Sequence, residues 1–382
     1  MSIQEWEPPQ IHKITNDRDL EELIKDENII GVRDPIHEIA EDMFAMENPD
    51  KVDDPVARKQ YIDNVLSQGA EYGNWVVYPH KLTVVRFSEK DDHYLLRTFR
   101  NRNLITKEEQ QHLRRQKLAV FGLSVGSKTV EETVQTGIGD NYMLFDHDRL
   151  SVMNLNRLRA GMDSVGLLKT TVSGRKIAGL DPYIEQQHFP GGYDDTTNDI
   201  LRRCPPDVIV EEVDDLKVKA QIREIANELG VPVIMAGDVD DKSTIDLERY
   251  DIGDATPFNG KLSGEQVEKL LIGDLEDEAV VGMLVKILGL KNISPRLLQS
   301  TMLRGIELTG FPQLGTTATL GGANSAIAIR DILLGRNNKS RSEVYDPRKL
   351  LKSTPPTTTG ESLKIVRDFM IYSRGQKKGK SK

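Results

Sequence analysis

Between residues 118 and 250 short apolar runs alternate with longer amphipathic ones, and this alternation constrains the fold more than any other feature of the chain. The apolar runs read as strands at 118–121, 142–146, 184–189, 207–211, 233–236 and 244–250. Helical spacing fills most of the gaps, notably at 125–136, 167–178 and 217–229. Strand–helix repetition of this kind predicts an α/β fold, a doubly wound and mostly parallel Rossmann-like sheet with helices on both faces.

The flanks read differently. Residues 1–95 predict a small N-terminal α+β accessory unit, with helical spacing in "DLEELIKDENI" and "IHEIAEDMFAM" and two short strands around Pro79 in "NWVVYPHKLTVVRF". A charged connector, "RTFRNRNLITKEEQQHLRRQ", ends in a predicted helix over 107–115 and leads into the main domain, taken as 96–340. Within it, residues 255–310 are acidic and helical in pattern and read as an insertion beside the sheet. "GTTATLGGANSAIAIRDILLGR" predicts a helix of residues small enough for close packing. Residues 341–382 are a C-terminal extension whose tail, "SRGQKKGKSK", carries five basic residues and no acid. Such a tail is a solvated end or an electrostatic docking arm.

Composition removes several function classes. No apolar run approaches the roughly 18 residues of a membrane helix, so no membrane partner is expected. The start, "MSIQEWEPPQIHK", has neither a basic region nor an apolar core and is not expected to be a signal peptide. Cys204 is the only cysteine, which excludes internal disulfides and a zinc site built from several thiolates. A cytoplasmic location is the expectation. The net charge of −9 argues against a nucleic-acid partner.

The chemistry begins at "KLAVFGLSVGS", where a strand ends in a glycine turn and a helix follows. Such a turn aims backbone N–H groups and the positive end of the helix dipole at one point, which favours a phosphate. Gly122 and Gly126 bracket the turn, and Ser124 stands inside it. Because G-x-S-x-G also spells a nucleophile elbow, Ser124 is weighed as a nucleophile and disfavoured, since the turn follows the first strand of the sheet and His188 is the only histidine after His147. Asp146 closes the next strand 24 residues after Gly122, where an acid typically takes the ribose hydroxyls. The continuation, "LFDHDRLSVMNLNRLRAGMDSVGLLKT", adds Asp148, Asn154, Asn156, Arg157 and Lys169. A dehydrogenase needs the acid but not the cations, whereas triphosphate chemistry needs charge neutralised on the phosphates. In "PDVIVEEVDDLKVKAQIREIANELG" a strand ends in Glu211, Glu212, Asp214 and Asp215 before a helix. Carboxylates there suit Mg²⁺, which takes one or two of them plus phosphates, and Asp214 is the first candidate. Asp214 or Asp215 also suits the helix N-cap.

The order of these parts resembles the ThiF/MoeB superfamily, relatives of the ubiquitin-activating enzymes, over residues 97–335. The resemblance implies that Gly122, Ser124, Gly126 and Asp146 hold ATP. It implies that Asn154, Arg157 and Lys169 contact the triphosphate, and that Asp214, with Asp148 as a second candidate, places Mg²⁺. It further implies a homodimer in which an arginine of the connector reaches the partner's site; Arg102 of "FRNRNL" is the better match and Arg100 the second. The implied reaction is ATP-dependent adenylation of a carboxylate, in which Arg157, Lys169, Asp214 and Arg102 are the catalytic residues. The expected substrate is a peptide, as in peptide-modifying relatives with an extra N-terminal unit, or alternatively a sulfur-carrier or ubiquitin-like protein. The chain departs from the family in its shortened glycine loop, in lacking two CxxC pairs, so that no zinc is expected, and in lacking a cysteine in the crossover loop after Asp238. Thioester transfer is therefore disfavoured, and Cys204 is read as structural. A non-catalytic nucleotide-binding scaffold and an NAD-dependent oxidoreductase are the readings from other classes.

Overall fold

The computed structural model describes residues 6–273, 275, 277–354 and 357–379. The last three residues of the basic tail lie outside them. The chain divides into two compact units. One comprises residues up to Gln116 with Thr133–Tyr142 and Thr170–His188; the other comprises Lys117–Glu132, Met143–Lys169 and the chain from Phe189 onward.

The first unit opens with β1 (Gln10–His12), α1 (Asp17–Asp26), β2 (Gly31–Arg33), α2 (Ile36–Glu47) and α3 (Pro55–Leu66). It continues with β3 (Asn74–Tyr78), β4 (Thr83–Phe87), α4 (Lys90–Thr98) and α5 (Lys107–Arg114). The four strands make one sheet in the order β1-β3-β4-β2. Alternation along β3 explains why it is central: Trp75 and Val77 face Leu20, Leu23 and Ile24 of α1, while Val76 and Tyr78 pack with Ala178 and Phe87. The i, i+3, i+4 spacing of the α1 residues is what gives that helix its single apolar stripe. Helix α3, not expected from the sequence, starts where Asp54 Oδ1 accepts the N–H groups of Val56 and Ala57, with Pro55 in the first turn. The expected connector helix is α5, closed by a Thr106/Glu109 capping box.

The main sheet is built from β5 (Lys117–Phe121), β6 (Asn141–Phe145), β7 (Glu185–Phe189), β8 (Val208–Glu211), β9 (Val233–Val239), β10 (Lys242–Glu248) and β11 (Arg341–Tyr345). Its order is β11-β10-β9-β8-β5-β6-β7. Helices α6 (Gly126–Thr136), α7 (Lys169–Leu180), α8 (Thr197–Arg203) and α9 (Leu216–Leu229) lie between the strands in sequence. The insertion supplies α10 (Gly264–Ile272), α11 (Asp277–Leu288) and α12 (Pro295–Leu303). After it come α13 (Gly315–Leu333), α14 (Pro347–Leu350) and α15 (Thr359–Gly379), the last of which carries the chain into its basic tail.

Strand β5 pairs parallel with β8, and β8 with β9, which makes the α/β class expected from the sequence. Chain order runs outward from β5 on one side and from β8 on the other, so the topological switch point lies between them. Ala119 and Phe121 face one helix layer, with Leu201 of α8 and Ile222, Ile225 and Ala226 of α9. Phe121, Phe145 and Phe189 stack there with ring centroids 4.2 Å apart. On the opposite face α13 packs against β9 and β10. It also approaches α6 closely, since a Cβ on Gly322 would stand 2.4 Å from Lys128 Cβ. Helices thus cover both faces.

The main sheet also differs from the sequence reading at its far edge, and α8 was not expected. After Asp238 there is no crossover loop: Asp240, at φ 58°, turns the chain into an antiparallel β9–β10 hairpin. Ser294 Oγ and Thr317 Oγ1 hold the turn through Asp240 Oδ1 and the Asp240 carbonyl, at 2.6 and 2.7 Å. Beyond β10 the sheet gains β11, an exposed antiparallel strand without an apolar face to announce it. Among the described residues no helix is long and apolar enough to cross a membrane.

Candidate active site

The site forms in the second unit, at the ends of β5, β6, β8 and β9. Phe121 leads into Gly122, whose φ of +84° and N–H bond to the Phe145 carbonyl at 2.8 Å set the turn. A Cβ at this position would lie 2.4 Å from the Glu212 carbonyl oxygen, so only glycine fits. Gly126 opens α6. The first N–H groups of a helix have no intrahelical partner, so this end can receive an anion.

Asp146 ties the turn down. Its Oδ2 accepts the Leu123 N–H at 2.6 Å and its Oδ1 accepts the Asp148 N–H at 2.8 Å. The residue is 7% exposed, and burial raises its carboxyl above the ordinary range against the pull of Lys169. Lys169, at the first position of α7, stands 2.6 Å from Asp148 Oδ2 and 3.8 Å from Asp146 Oδ2. Asp148 is half exposed; burial works to raise its pKa, but the Lys169 hydrogen bond and charge outweigh it and lower the value.

Arg157 comes from the loop after β6 and is half-buried. Its Nε donates to Ser124 Oγ at 3.1 Å, and its Nη1 to Asn156 Oδ1 at 2.9 Å and the Met153 carbonyl at 3.2 Å. A guanidinium cannot accept a proton, so this partner does not activate Ser124 as a nucleophile. Asn154 closes its own turn, with Oδ1 accepting the Ser151 N–H at 3.0 Å. Burial lowers the Arg157 pKa, and the carboxylates of Asp214 and Asp238 oppose that.

The four acids at the end of β8 and just beyond it separate into distinct roles. Glu211 is fully buried and accepts from Lys219 Nζ and Arg223 Nη1, each at 2.7 Å; Arg223 also reaches Glu248 at 2.8 Å. Glu212 Oε1 accepts the Ala236 N–H at 2.6 Å, and burial raises its carboxyl well above the usual range. Asp215 caps α9 through the N–H groups of Lys217 and Val218. Asp214 remains exposed beside the Arg157 charge. Among the described residues no three His, Cys, Asp or Glu side chains gather into a metal-binding group. An exposed carboxylate at a strand end fits Mg²⁺ that is shared with phosphates.

Sequence reasoning missed Asp238 as a site residue. Both of its carboxylate oxygens are buried and have no hydrogen-bond partner, and burial pushes its pKa up to about 6 against the charge of Arg157. The available signal was an acid at the end of a strand, the same signal that singled out Asp214. Arg102 belongs to the first unit, where it is exposed and its guanidinium lies 4.6 Å from the Phe99 ring centre; Arg100 beside it is also exposed. Cys204 is half-buried and accepts from Lys117 Nζ at 2.9 Å.

Sheet, glycine turn and strand-end acids define a doubly wound α/β nucleotide-site architecture. Residues 98–259 match the ThiF family, so the chain contains a ThiF-family domain. It is 32% identical over 310 residues to an uncharacterised protein, MT1398, of Mycobacterium tuberculosis (strain CDC 1551 / Oshkosh), covering 76% of this chain and 42% of that protein. It is 25% identical over 138 residues to ubiquitin-like modifier-activating enzyme 5 of Arabidopsis thaliana, covering 32% of each. The chain thus spans less than half the length of either relative. The solved structure of E. coli MccB with MccA has a TM-score of 0.45 to this chain at 16% identity, over 70% of this chain and 71% of that one.

Proposed function

We propose that the chain uses ATP to adenylate a carboxylate on a peptide or small protein. A substrate carboxylate oxygen attacks the α-phosphorus, the bond from that phosphorus to the β-phosphate oxygen breaks, and pyrophosphate leaves with the electron pair. The observation that carries this reading is the convergence of two cations on the glycine turn. Arg157 Nε donates to Ser124 Oγ at 3.1 Å, and Lys169 stands 3.8 Å from the carboxylate that anchors Leu123. Dinucleotide binding alone leaves both cations unexplained. No general base is required, because a substrate carboxylate is already ionised at pH 7.

In this reading Gly122, Ser124, Gly126, Asp146 and Asn154 form the nucleotide site. Arg157 and Lys169 stabilise charge developing on the phosphates. Mg²⁺ would supply further neutralisation of the polyphosphate, held by Asp214 with Asp148 as the second carboxylate. The ThiF-family domain and the likeness to ubiquitin-like modifier-activating enzymes support activation of a carboxyl terminus. A carrier or ubiquitin-like protein is accordingly the alternative substrate. The absence of any cysteine besides Cys204 disfavours a thioester step. We place the reaction in the cytoplasm, in a homodimer to which Arg102 contributes across the interface. The deciding experiment is thermal stabilisation by ATP against NAD, each with and without Mg²⁺. Stabilisation by NAD alone overturns adenylation. ATP binding without pyrophosphate release, with both candidate peptides and carrier proteins supplied, returns the chain to a scaffold.

A further inference from the structure

Arg157 stands between two carboxylates of different kinds. Asp214 is exposed after β8, whereas Asp238 of β9 has both oxygens out of solvent and without a hydrogen-bond partner. Gly321 of α13 lies alongside Asp238. A Cβ built there would stand 3.6 Å from Asp238 Oδ1, 3.4 Å from Val125 Cγ1 and 3.5 Å from Ala236 Cβ. Asp238 therefore sits where the glycine turn, β9 and α13 meet. The charges acting there are Arg157, which attracts through space rather than by a hydrogen bond, and the carboxyl of Glu212, which the Asp238 charge raises. A buried carboxylate with no donor is costly, so a complete site supplies it a cation or a proton.

A triphosphate at the glycine turn sharpens this demand. It brings several negative charges toward a guanidinium that already serves two carboxylates, and crowded like charges cannot all stay ionised. Asp214, being exposed, can share a divalent cation with the phosphates. Asp238, being buried, has only protonation available. We propose that Asp238 is the proton-carrying partner of Arg157: when the triphosphate of ATP engages the guanidinium, Asp238 takes a proton from solvent and stays neutral, an O–H donor beside the phosphates. The proton returns to solvent when the nucleotide leaves. This rests on the nucleotide reading above. The carboxyl is already halfway there, since burial holds its pKa at about 6, and an added anion raises it further. Once neutral, the group changes from acceptor-only to a donor that can face a phosphate oxygen.

ATP with saturating Mg²⁺, titrated by calorimetry between pH 6 and 8 in two buffers of different ionisation enthalpy, tests the assignment. Wild type should take up about one proton per ATP near pH 7.5, and its affinity should fall as pH rises above 6, by up to about tenfold per unit. D238N, neutral and still a donor, should bind with no such uptake and at pH 8 at least as tightly as wild type. D238A should also be flat with pH but weaker than D238N, because the donor is gone. Thermal unfolding of both variants separates a lost fold from a lost proton. Any proton exchange that does not involve Asp238 is common to wild type and D238N, so their difference isolates Asp238. ATP binding without proton uptake in wild type, or uptake retained in D238N, overturns the inference. Failure of wild type to bind ATP at any pH overturns the nucleotide reading, and this inference with it.

Discussion

Asp146 Oδ2 accepts the Leu123 N–H at 2.6 Å, so the carboxylate expected to hold a nucleotide ribose is also the anchor of the glycine turn. Its other oxygen holds the Asp148 N–H, which fixes the loop that carries Lys169's partner. One buried side chain thus sets the relation between the ends of β5 and β6. This double engagement changes what a substitution there does.

Asp146→Ala should lower stability as well as ATP binding. Two backbone donors lose a charged acceptor, a loss of about 3 kcal/mol when buried. Asp146→Asn keeps one acceptor and should fall between the two in a urea melt. An alanine variant as stable as wild type would mean that the backbone bonds contribute little.

Arg157→Ala and Lys169→Ala should separate in a way the sequence did not suggest. Both should slow ATP–pyrophosphate exchange by roughly 10²–10³, the cost of removing one charge-stabilising donor. Lys169 is 7% exposed and pairs with two carboxylates, so its loss should also lower the melting temperature. Arg157, bonded to a hydroxyl, an amide and a carbonyl, should cost stability chiefly where Asp238 is ionised, because its charge is what attracts that buried carboxylate. Rate and ATP affinity falling in equal proportion would indicate ground-state binding alone.

Asp238 should make stability fall with rising pH. Its folded carboxyl has a pKa of about 6, above the ordinary 3.8, so the folded state holds the proton that the unfolded state releases between those values. Unfolding is therefore easier as pH climbs from about 4 to 6, and the full cost remains above 6. D238N should be more stable than wild type at pH 8 by up to about 3 kcal/mol, with the gain fading toward pH 4. Equal denaturation midpoints at pH 8 would show that the buried carboxylate is relieved in some other way.

Much of the fold was legible because its strands and helices differ in period. The runs ending in Phe121, Phe145 and Glu211 are buried strands, and α6, α7 and α9 begin within two residues of their expected starts, whereas β7 is only partly buried and α8 was not expected. What was not legible has physical reasons. Residues Arg341–Tyr345 are exposed throughout, so β11 presents no alternation to read. The β9–β10 turn depends on Ser294 and Thr317, which are remote in sequence. In the site, residue type and spacing located the glycine turn, Arg157 and Lys169. They could not distinguish an acid that meets a ligand from one that ties backbone or neutralises a buried base. Glu211 and Asp215 turned out to be of the second kind, and the burial that sets Asp238 apart exists only once α13 is in place.

The last prediction concerns Arg102, which belongs to a different unit from the glycine turn. There it is exposed, and its guanidinium rests on the Phe99 ring at 4.6 Å, a contact a partner's phosphates could displace at small cost. An arginine supplied across a dimer adds a charge to the triphosphate that one chain's site does not contain. If Arg102 acts in this way, Arg102→Ala and Asp214→Ala chains, each inactive alone, should recover part of the pyrophosphate-exchange rate when mixed. A mixed dimer then contains one site with both residues intact, and random pairing makes such dimers about half of the total. If Arg102 instead serves its own chain, every site in the mixture lacks one residue and no rate returns. Subunit exchange, followed by a tag on one variant, makes a null result decisive. Activity from a species that sediments as a monomer would remove the shared site altogether.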